Sequence, residues 1–259
     1  MQHLADNNFS AVHRVIVIPA YNETEALPLL IGELAPRLSE GDLIIIVDDS
    51  AASVAEETER RCRASLLTTA SQFTFLHRGA KGGRGAAVRH GFDFILGSCP
   101  QAQWFLECDA DGSHRIEDIV GILTFPSQSD LVVGSRYLSG SMIVGWSMGR
   151  RIQSRILNIL IPSILRLSIR DITNGLRRYS RTAVERILQF QPASSTFIYL
   201  TEQALIVQRS GLMIEEVPIR FEERRAGASS VTWRELQASV EGLFQIIRLR
   251  AQFDSQKET

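Results

Sequence analysis

The sequence of 259 residues is 44% hydrophobic, which suffices for one sizeable α/β domain or for a domain with an appendage. Its 28 Lys and Arg residues nearly balance its 29 Asp and Glu residues, so no basic excess indicates binding to nucleic acid. The three cysteines lack metal-ligand spacing and fit a reducing compartment, and no apolar run reaches the roughly 18 residues that cross a bilayer.

Apolar runs alternate with helical patterns through the first half of the chain. The runs predict buried strands at residues 15–19, 43–47, 73–77, 104–108 and 131–134. The stretches between them predict helices at residues 25–38, 54–65, 85–96 and 115–123. This alternation is typical of an α/β protein with a mostly parallel sheet and helices on both faces.

Polar motifs follow three of the predicted strands. They are residues 19–23 (P-A-Y-N-E), Asp48-Asp49, and Asp109-Ala110-Asp111. Ligands of such sheets bind beyond the carboxyl ends of the strands. We therefore expect the three motifs to meet at one edge of the sheet and to form a binding site.

Asp109 and Asp111 are separated by one residue at the end of a predicted strand. Two carboxylates that lie so close repel each other unless a cation neutralises them. Oxygen ligands suit Mg2+ or Mn2+, and such an ion usually bridges to the phosphates of a substrate. The alternative is a solvated aspartate turn, since the D-x-D pattern is common by chance.

A glycine-rich segment, residues 81–87 (K-G-G-R-G-A-A), precedes the third predicted helix. Glycines let the backbone approach a phosphate, and a helix N-terminus favours an anion. Lys81 and Arg84 would add positive charge. The segment is neither a Walker A loop nor a dinucleotide fingerprint, because it lacks G-K-[ST] and does not follow the first strand. A flexible surface loop is the alternative.

Residues 142–170 form an apolar segment punctuated by arginines, and no acidic residue occurs between Asp130 and Asp171. Basic amphipathic segments of this kind lie in the membrane interface. The alternative is a pair of helices packed on the domain, with arginine stems covering apolar surface. Farther on, apolar residues at helical spacing between Trp233 and Ile247 predict a C-terminal helix.

A series of short motifs runs from residue 17 to residue 227. They are residues 17–23 (V-I-P-A-Y-N-E), 47–49 (V-D-D), 109–111 (D-A-D), 133–137 (V-G-S-R-Y), 146–160, 171–177 (D-I-T-N-G-L-R) and 216–219 (E-V-P-I), followed by Arg224 and Gly227. The first three resemble the inverting family-2 glycosyltransferases, and the rest resemble their dolichyl- or polyprenyl-phosphate mannose synthase subgroup. The resemblance implies a GT-A fold, which is a Rossmann-like, mostly parallel sheet flanked by helices, with amphipathic interfacial helices.

The resemblance also implies roles for the matching residues. The nucleotide-sugar pocket would include Pro19, Ala20, Tyr21, Glu23, Asp48, Asp49, Lys81 and Asp109. Mg2+ or Mn2+ would be held on the diphosphate by Asp109, Asp111 and Ser113, and the phosphate groups would meet Arg136 and Arg150. A phosphate-monoester acceptor has a second pKa of about 6, so it is ionised at neutral pH and needs no general base. If a base is used, Asp171 is the candidate.

These roles predict inverting transfer of mannose from GDP-mannose to a polyprenyl phosphate. Two alternatives stay open: another nucleotide sugar or a soluble acceptor, and a catalytically weak nucleotide-sugar-binding subunit. They are motivated by residues 50–53 (S-A-A-S) and by Ser230, which depart from the D-D-G-S-x-D and G-x-S-K patterns of the subgroup.

The expected organisation is an N-terminal arm at residues 1–13, a catalytic domain at residues 14–230, and a C-terminal helix with a polar tail at residues 231–259. We expect a cytoplasmic protein at the membrane surface, with no nucleic-acid partner. A homodimer contact or a membrane-anchor partner is compatible with the C-terminal helix.

Overall fold

The computed structural model describes residues 9–66, 72–192, 198–223 and 233–255. The first half runs through β1 (Arg14–Ala20), α1 (Ala26–Leu34), β2 (Asp42–Asp48), α2 (Ala52–Ser65), β3 (Gln72–His77), α3 (Arg84–Ser98), β4 (Trp104–Glu107), α4 (Ile116–Leu123) and β5 (Leu131–Ser135). A short 3₁₀ turn, Ala35–Arg37, extends α1. The strands and helices predicted for this half are confirmed, with small differences at their ends.

The second half departs from simple alternation. It runs through β6 (Met142–Ile143), α5 (Met148–Leu165), β7 (Arg177–Ser180), α6 (Arg181–Leu188), α7 (Tyr199–Arg209), β8 (Ile214–Pro218), β9 (Arg220–Phe221) and α8 (Trp233–Ser255). The segment 142–170 therefore holds one long helix, α5, and not a pair of helices. The predicted C-terminal helix is α8. The predictions made for Arg224, Gly227 and Ser230 lie outside the described residues.

The main sheet has the strand order β3-β2-β1-β4-β7-β5-β8. The four strands β3, β2, β1 and β4 are parallel, and β5 is parallel to β8. The exception is β7, which is antiparallel to both β4 and β5. The prediction of a mostly parallel sheet is confirmed, although the sequence did not indicate β7.

Helices cover both faces of the sheet, as predicted. Along β1 the side chains alternate: Val15 and Val17 join one apolar core with α3, α7 and α8, whereas Ile16 and Ile18 join a second core with α1 and α4. All seven residues of β2 are buried. Burial on both faces explains why these strands read as continuous apolar runs. The two cores fix the carboxyl ends of β1, β2 and β4 side by side.

Helix α5 begins with a side-chain cap, because Ser147 Oγ accepts a hydrogen bond from the Arg150 N–H. It ends where Arg166 adopts a left-handed backbone with φ of 54°, shortly after Pro162. Many of its apolar side chains face outward. They are those of Met148, Ile152, Ile156, Leu157, Ile159, Leu160 and Ile164. In the part of the chain that the structure describes, no helix is long and apolar enough to span a bilayer.

Candidate active site

The three polar motifs meet at one edge of the sheet. Strand β1 pairs with β2 in a register that sets Ala20 opposite Asp48, and β1 pairs with β4 on its other side. The Asp109–Asp111 motif begins two residues after the end of β4. The sequence prediction that these strand ends converge is therefore confirmed by the pairing of the strands.

Asp48 offers an unpaired acceptor at this edge. Its side chain is buried, and Oδ1 accepts a hydrogen bond of 2.6 Å from the Ser50 N–H. Oδ2 is also buried and has no hydrogen-bond partner among the described residues. A buried carboxylate oxygen without a donor is costly, so the geometry suits a ligand that brings an N–H or O–H group.

The turn after β1 forms the wall beside Asp48. Asn22 has a left-handed φ of 59°, and its N–H donates to Ser50 Oγ at 2.8 Å, which ties the turn to the end of β2. Pro19 and Ala20 are buried in this wall, Glu23 is half-buried, and the Tyr21 ring is exposed. An exposed ring beside an open acceptor is a suitable platform for a nucleoside.

Asp49 holds the glycine-rich segment in place. Its Oδ2 accepts hydrogen bonds from the N–H groups of Gly82 and Gly83 at 2.8 and 3.0 Å, and Arg78 forms an ion pair with Oδ1 at 3.0 Å. These amides were candidates for a phosphate cradle, but an internal carboxylate already satisfies them. The anion at the start of α3 is thus the Asp49 carboxylate, which holds the loop through its backbone N–H groups. Lys81 lies at the rim, where its Nζ is 4.6 Å from the centroid of the Tyr21 ring.

Asp109, Asp111 and Ser113 form one tight turn after β4. Ser113 N–H donates to Asp111 Oδ1 at 3.0 Å, and Ser113 Oγ lies 3.5 Å from Asp109 Oδ2. No group of three or more His, Cys, Asp and Glu side chains suited to a metal occurs in the described ranges. The turn instead offers a few oxygen donors, which fits Mg2+ or Mn2+ that completes its shell with phosphate oxygens and water.

His114 supports this turn as an uncharged side chain. Its Nε2 lies 2.9 Å from Asn174 Oδ1, and the Asp109 N–H points to its Nδ1 at 3.4 Å. Burial lowers the pKa of His114 to about 4, so the ring is neutral at physiological pH. Asn174 in turn donates to the Gly134 carbonyl oxygen. The turn after β4 is thereby linked to the 171–177 motif.

Sequence reasoning missed an ionic cluster beneath the turn. Arg84, at the start of α3, pairs with Glu107 at 2.8 Å and also with Asp109, and its Nε donates to the Tyr199 hydroxyl at 2.8 Å. Glu107 and Tyr199 are buried. One feature of the sequence could have indicated this cluster: a glutamate at the end of an otherwise apolar strand, because a buried carboxylate requires a partner.

Arg136 and Asp171 form a buried ion pair. Asp171 accepts hydrogen bonds from Arg136 Nε at 2.8 Å, Nη2 at 2.7 Å and the backbone N–H at 2.9 Å. Burial of Asp171 opposes its ionisation, but the charge and hydrogen bonds of Arg136 outweigh burial and hold the pKa of Asp171 below its ordinary value.

This pairing bears on two expectations. Asp171 is a poor general base, because both of its oxygens are engaged and its pKa is lowered. The guanidinium of Arg136 is likewise engaged through Nε and Nη2 by Asp171 and Thr173, which leaves less of its fork for a phosphate. The pair instead fixes the loop that follows β5 against the 171–177 motif.

Trp146 connects Arg136 to Arg150. The Cζ atoms of the two arginines lie 5.2 and 4.1 Å from the centroid of the Trp146 ring. Arg150 is the more accessible of the two arginines. Within the described part of the chain it forms one ion pair, with Glu223 at 2.9 Å, and both side chains are about half exposed, at 43% and 52%. An exposed pair of this kind is weak, so a phosphate can take the place of Glu223. Sequence reasoning had not assigned a separate role to Trp146.

A groove of about 370 Å³ opens beside this cluster. It is lined by Tyr137, Ile143, Arg151, Ile152, Arg155 and Ile156. Arg155 lies over the Tyr137 ring at 5.1 Å, and the Tyr137 hydroxyl is 2.6 Å from Ser154 Oγ. The groove walls are therefore almost wholly apolar, and Arg151 and Arg155 line it mainly through their carbon stems.

Comparisons with known proteins agree with this arrangement. The chain is 31% identical over 222 residues to the polyprenol monophosphomannose synthase of Mycolicibacterium smegmatis, a match that covers 84% of this chain and 80% of that protein. It is 32% identical over 216 residues to the undecaprenyl-phosphate mannosyltransferase of Micrococcus luteus, a match that covers 83% of this chain and 86% of that protein.

A solved structure shares the fold. Glucosyl-3-phosphoglycerate synthase from Mycobacterium tuberculosis, in complex with Mn2+, UDP and glucosyl-3-phosphoglycerate, superposes with a TM-score of 0.61 at 18% identity, over 92% of this chain and 80% of that one. The GT-A fold expected from the sequence is thereby confirmed. The family model described as "Glycosyl transferase family 2" matches residues 15–188. The chain therefore belongs to glycosyl transferase family 2.

Proposed function

We propose that the protein transfers mannose from GDP-mannose to the phosphate of a polyprenyl phosphate, with inversion at the anomeric carbon. One observation carries the acceptor assignment: Arg150, Arg151 and Arg155 share helix α5 with an outward-facing row of apolar side chains. A charged headgroup and an apolar tail would both find partners on that helix. The names of the two sequence relatives support the same acceptor class and the same sugar.

On the donor side, the nucleoside would lie against Tyr21 and donate to the open Oδ2 of Asp48. Asp109, Asp111 and Ser113 would hold a divalent ion. When bound, this ion neutralises the negative charge that develops on the departing nucleoside diphosphate. Lys81, held over the Tyr21 ring, adds positive charge at the same rim.

On the acceptor side, the phosphate would be held by Arg150 and by Arg155, whereas Arg151 already donates to the carbonyl oxygens of Ile143 and Trp146. Arg150 would exchange its exposed partner Glu223 for the phosphate while it stays stacked on Trp146. The phosphate oxygen attacks the anomeric carbon as the bond to the nucleoside diphosphate breaks. Since a phosphate monoester with a second pKa of about 6 is already ionised, orientation replaces a general base.

The apolar row on α5 would place the enzyme at the membrane surface. Basic amphipathic helices bind in the interface with their apolar face in the lipid, and anionic headgroups attract their arginines. The protein would thus work as a peripheral enzyme at the cytoplasmic face and take its acceptor from the bilayer.

A single charged substitution on this row should weaken binding to lipid. Ile159→Glu places a carboxylate on the outward face, at a position that does not line the groove. We expect at least a fivefold smaller fraction bound to vesicles of phosphatidylcholine and phosphatidylglycerol, because about 2–3 kcal/mol of apolar insertion is lost. Co-sedimentation measures the bound fraction.

The matched control is Leu29→Glu on α1. Leu29 is 59% exposed and Ile159 is 54% exposed, so the two substitutions are equivalent in size, charge and exposure. Equal loss of binding in both variants, or no loss in either, would contradict a membrane role for α5.

A donor and acceptor panel tests the proposed reaction against its alternatives. Purified protein with Mg2+ or Mn2+ would receive labelled GDP-mannose or UDP-glucose, together with polyprenyl phosphate in detergent or phosphoglyceric acid. We expect labelled lipid only in the combination of GDP-mannose with polyprenyl phosphate. UDP-dependent turnover would favour the alternative donor, which the UDP complexes of the solved neighbours motivate. Nucleotide binding without turnover in any combination would favour a binding subunit.

A further inference from the structure

Arg84 is the positive centre beneath the aspartate turn. Its Nη2 lies 2.8 Å from Glu107 Oε1, its Nη1 is paired with Asp109, and its Nε lies 2.8 Å from the Tyr199 hydroxyl. Tyr199 also donates to Glu107. One guanidinium therefore links the last residue of β4 to the first aspartate of the turn.

The packing around Arg84 keeps the guanidinium in this position. A methyl group at Gly175 would overlap the guanidinium, and one at Gly85 would lie 2.8 Å from the Tyr199 ring. Both glycines thus leave room for the cluster. The guanidinium is held here by its pairs with Glu107 and Asp109, and the Arg84 side chain stays 21% exposed.

Two carboxylates in this region share one guanidinium. Glu107 and Asp109 are both paired with Arg84, and Asp111 lies in the same turn as Asp109. Positive charge on Arg84 lowers the attraction of the site for a second cation. In addition, an Asp109 oxygen that faces Arg84 is engaged and must be shared or released before it binds a metal.

We propose that Arg84 is a positioning residue that competes with the divalent ion for the carboxylate of Asp109. The ion alone is then held weakly, and it becomes firmly bound once a nucleoside diphosphate adds its own oxygens. This inference rests on the proposed metal-dependent reaction. By linkage, the ion raises the affinity for the nucleotide by the same factor. Glu107 moderates the competition, because it shares the guanidinium with Asp109.

Binding of Mn2+ alone, followed by the electron paramagnetic resonance signal of the free ion, tests the proposal without any turnover. Arg84→Gln removes the competing charge, so we expect Mn2+ to bind about tenfold more tightly. Glu107→Gln leaves Asp109 as the sole carboxylate partner of Arg84, so we expect Mn2+ to bind about threefold more weakly. Arg84→Lys keeps the charge and should bind Mn2+ nearly as the unaltered protein does.

A purely structural role for Arg84 predicts the opposite direction. Loosening the cluster would weaken Mn2+ binding in Arg84→Gln, or leave it unchanged, and either result overturns the proposal. If Arg84→Gln does not fold, as judged by thermal unfolding, Glu107→Gln decides: unchanged or tighter Mn2+ binding there overturns the proposal as well.

Asp111→Asn separates this inference from the proposed function. Loss of Mn2+ binding in Asp111→Asn, together with unchanged binding in Arg84→Gln, refutes only the role of Arg84. Unchanged Mn2+ binding in Asp111→Asn refutes the metal site itself, and the role of Arg84 falls with it.

Discussion

Asp111→Asn is expected to lower kcat/KM for mannose transfer by about 1,000-fold, since stabilisation of charge on the leaving group is usually the largest catalytic contribution. Asn has nearly the same size as Asp, and its Oδ1 can still accept the hydrogen bond from the Ser113 N–H. The turn should therefore keep its shape while one of the proposed metal-binding carboxylates is lost. Initial rates at several Mg2+ or Mn2+ concentrations measure the effect.

Asp93→Asn is the matched control. Asp93 is exposed on α3, away from the turn, and the substitution changes the net charge by the same amount. We expect its rate to match that of the unaltered protein. Comparable activity in Asp111→Asn and Asp93→Asn would contradict the assignment of Asp111.

Asp171→Asn is expected to lower the free energy of unfolding by about 3–5 kcal/mol, because it leaves the Arg136 guanidinium buried without its counter-charge. Asp171 is fully buried and Arg136 nearly so, and three hydrogen bonds join them. Transfer activity should fall as well, since Arg136 also packs against Trp146. Urea unfolding followed by circular dichroism measures the stability.

The double variant Arg136→Met/Asp171→Leu supplies the control. Replacing both charges with apolar groups leaves no buried ion unpaired, so stability should recover toward that of the unaltered protein while activity stays low. A single variant as stable as the unaltered protein would show that the pair has no structural role.

The same ion pair fixes the sign of a pH dependence. Since the pKa of Asp171 is lower in the folded protein than in the unfolded chain, its contribution to stability is complete at neutral pH. The contribution is lost as the pH falls below about 4, the ordinary pKa of an aspartate, toward the lower value in the folded protein. In Asp171→Asn this part of the acid dependence should disappear.

The sequence predicted the part of the fold that is encoded locally. The apolar runs at β1, β2 and β4 are continuous because both faces of these strands are buried, and so they could be recognised one by one. Parallel pairing then brought Asp48 and the Asp109–Asp111 turn to one edge without further information. Strand β7 was missed because its four residues, R-R-Y-S, carry no strand-like pattern.

The site contacts that the sequence did not reveal join partners that are distant in the chain. Arg136 and Asp171 are 35 residues apart, and Glu107 and Tyr199 are 92 residues apart, so neither pairing could be seen in a local pattern. The glycine-rich segment fits an anion, as its composition indicated. The anion proved to be Asp49, which is supplied by the end of β2 and not by a substrate.

Mass spectrometry of the lipid after reaction tests whether the protein transfers mannose to a polyprenyl phosphate. The purified protein would be incubated with GDP-mannose, Mg2+ and polyprenyl phosphate in detergent, and the lipid fraction would be analysed together with the released nucleotide. We expect one hexose added to each lipid phosphate, with GDP released in equal amount and the hexose removed by mild acid. GDP released without modified lipid, or no turnover with any divalent ion, would contradict the proposed transfer.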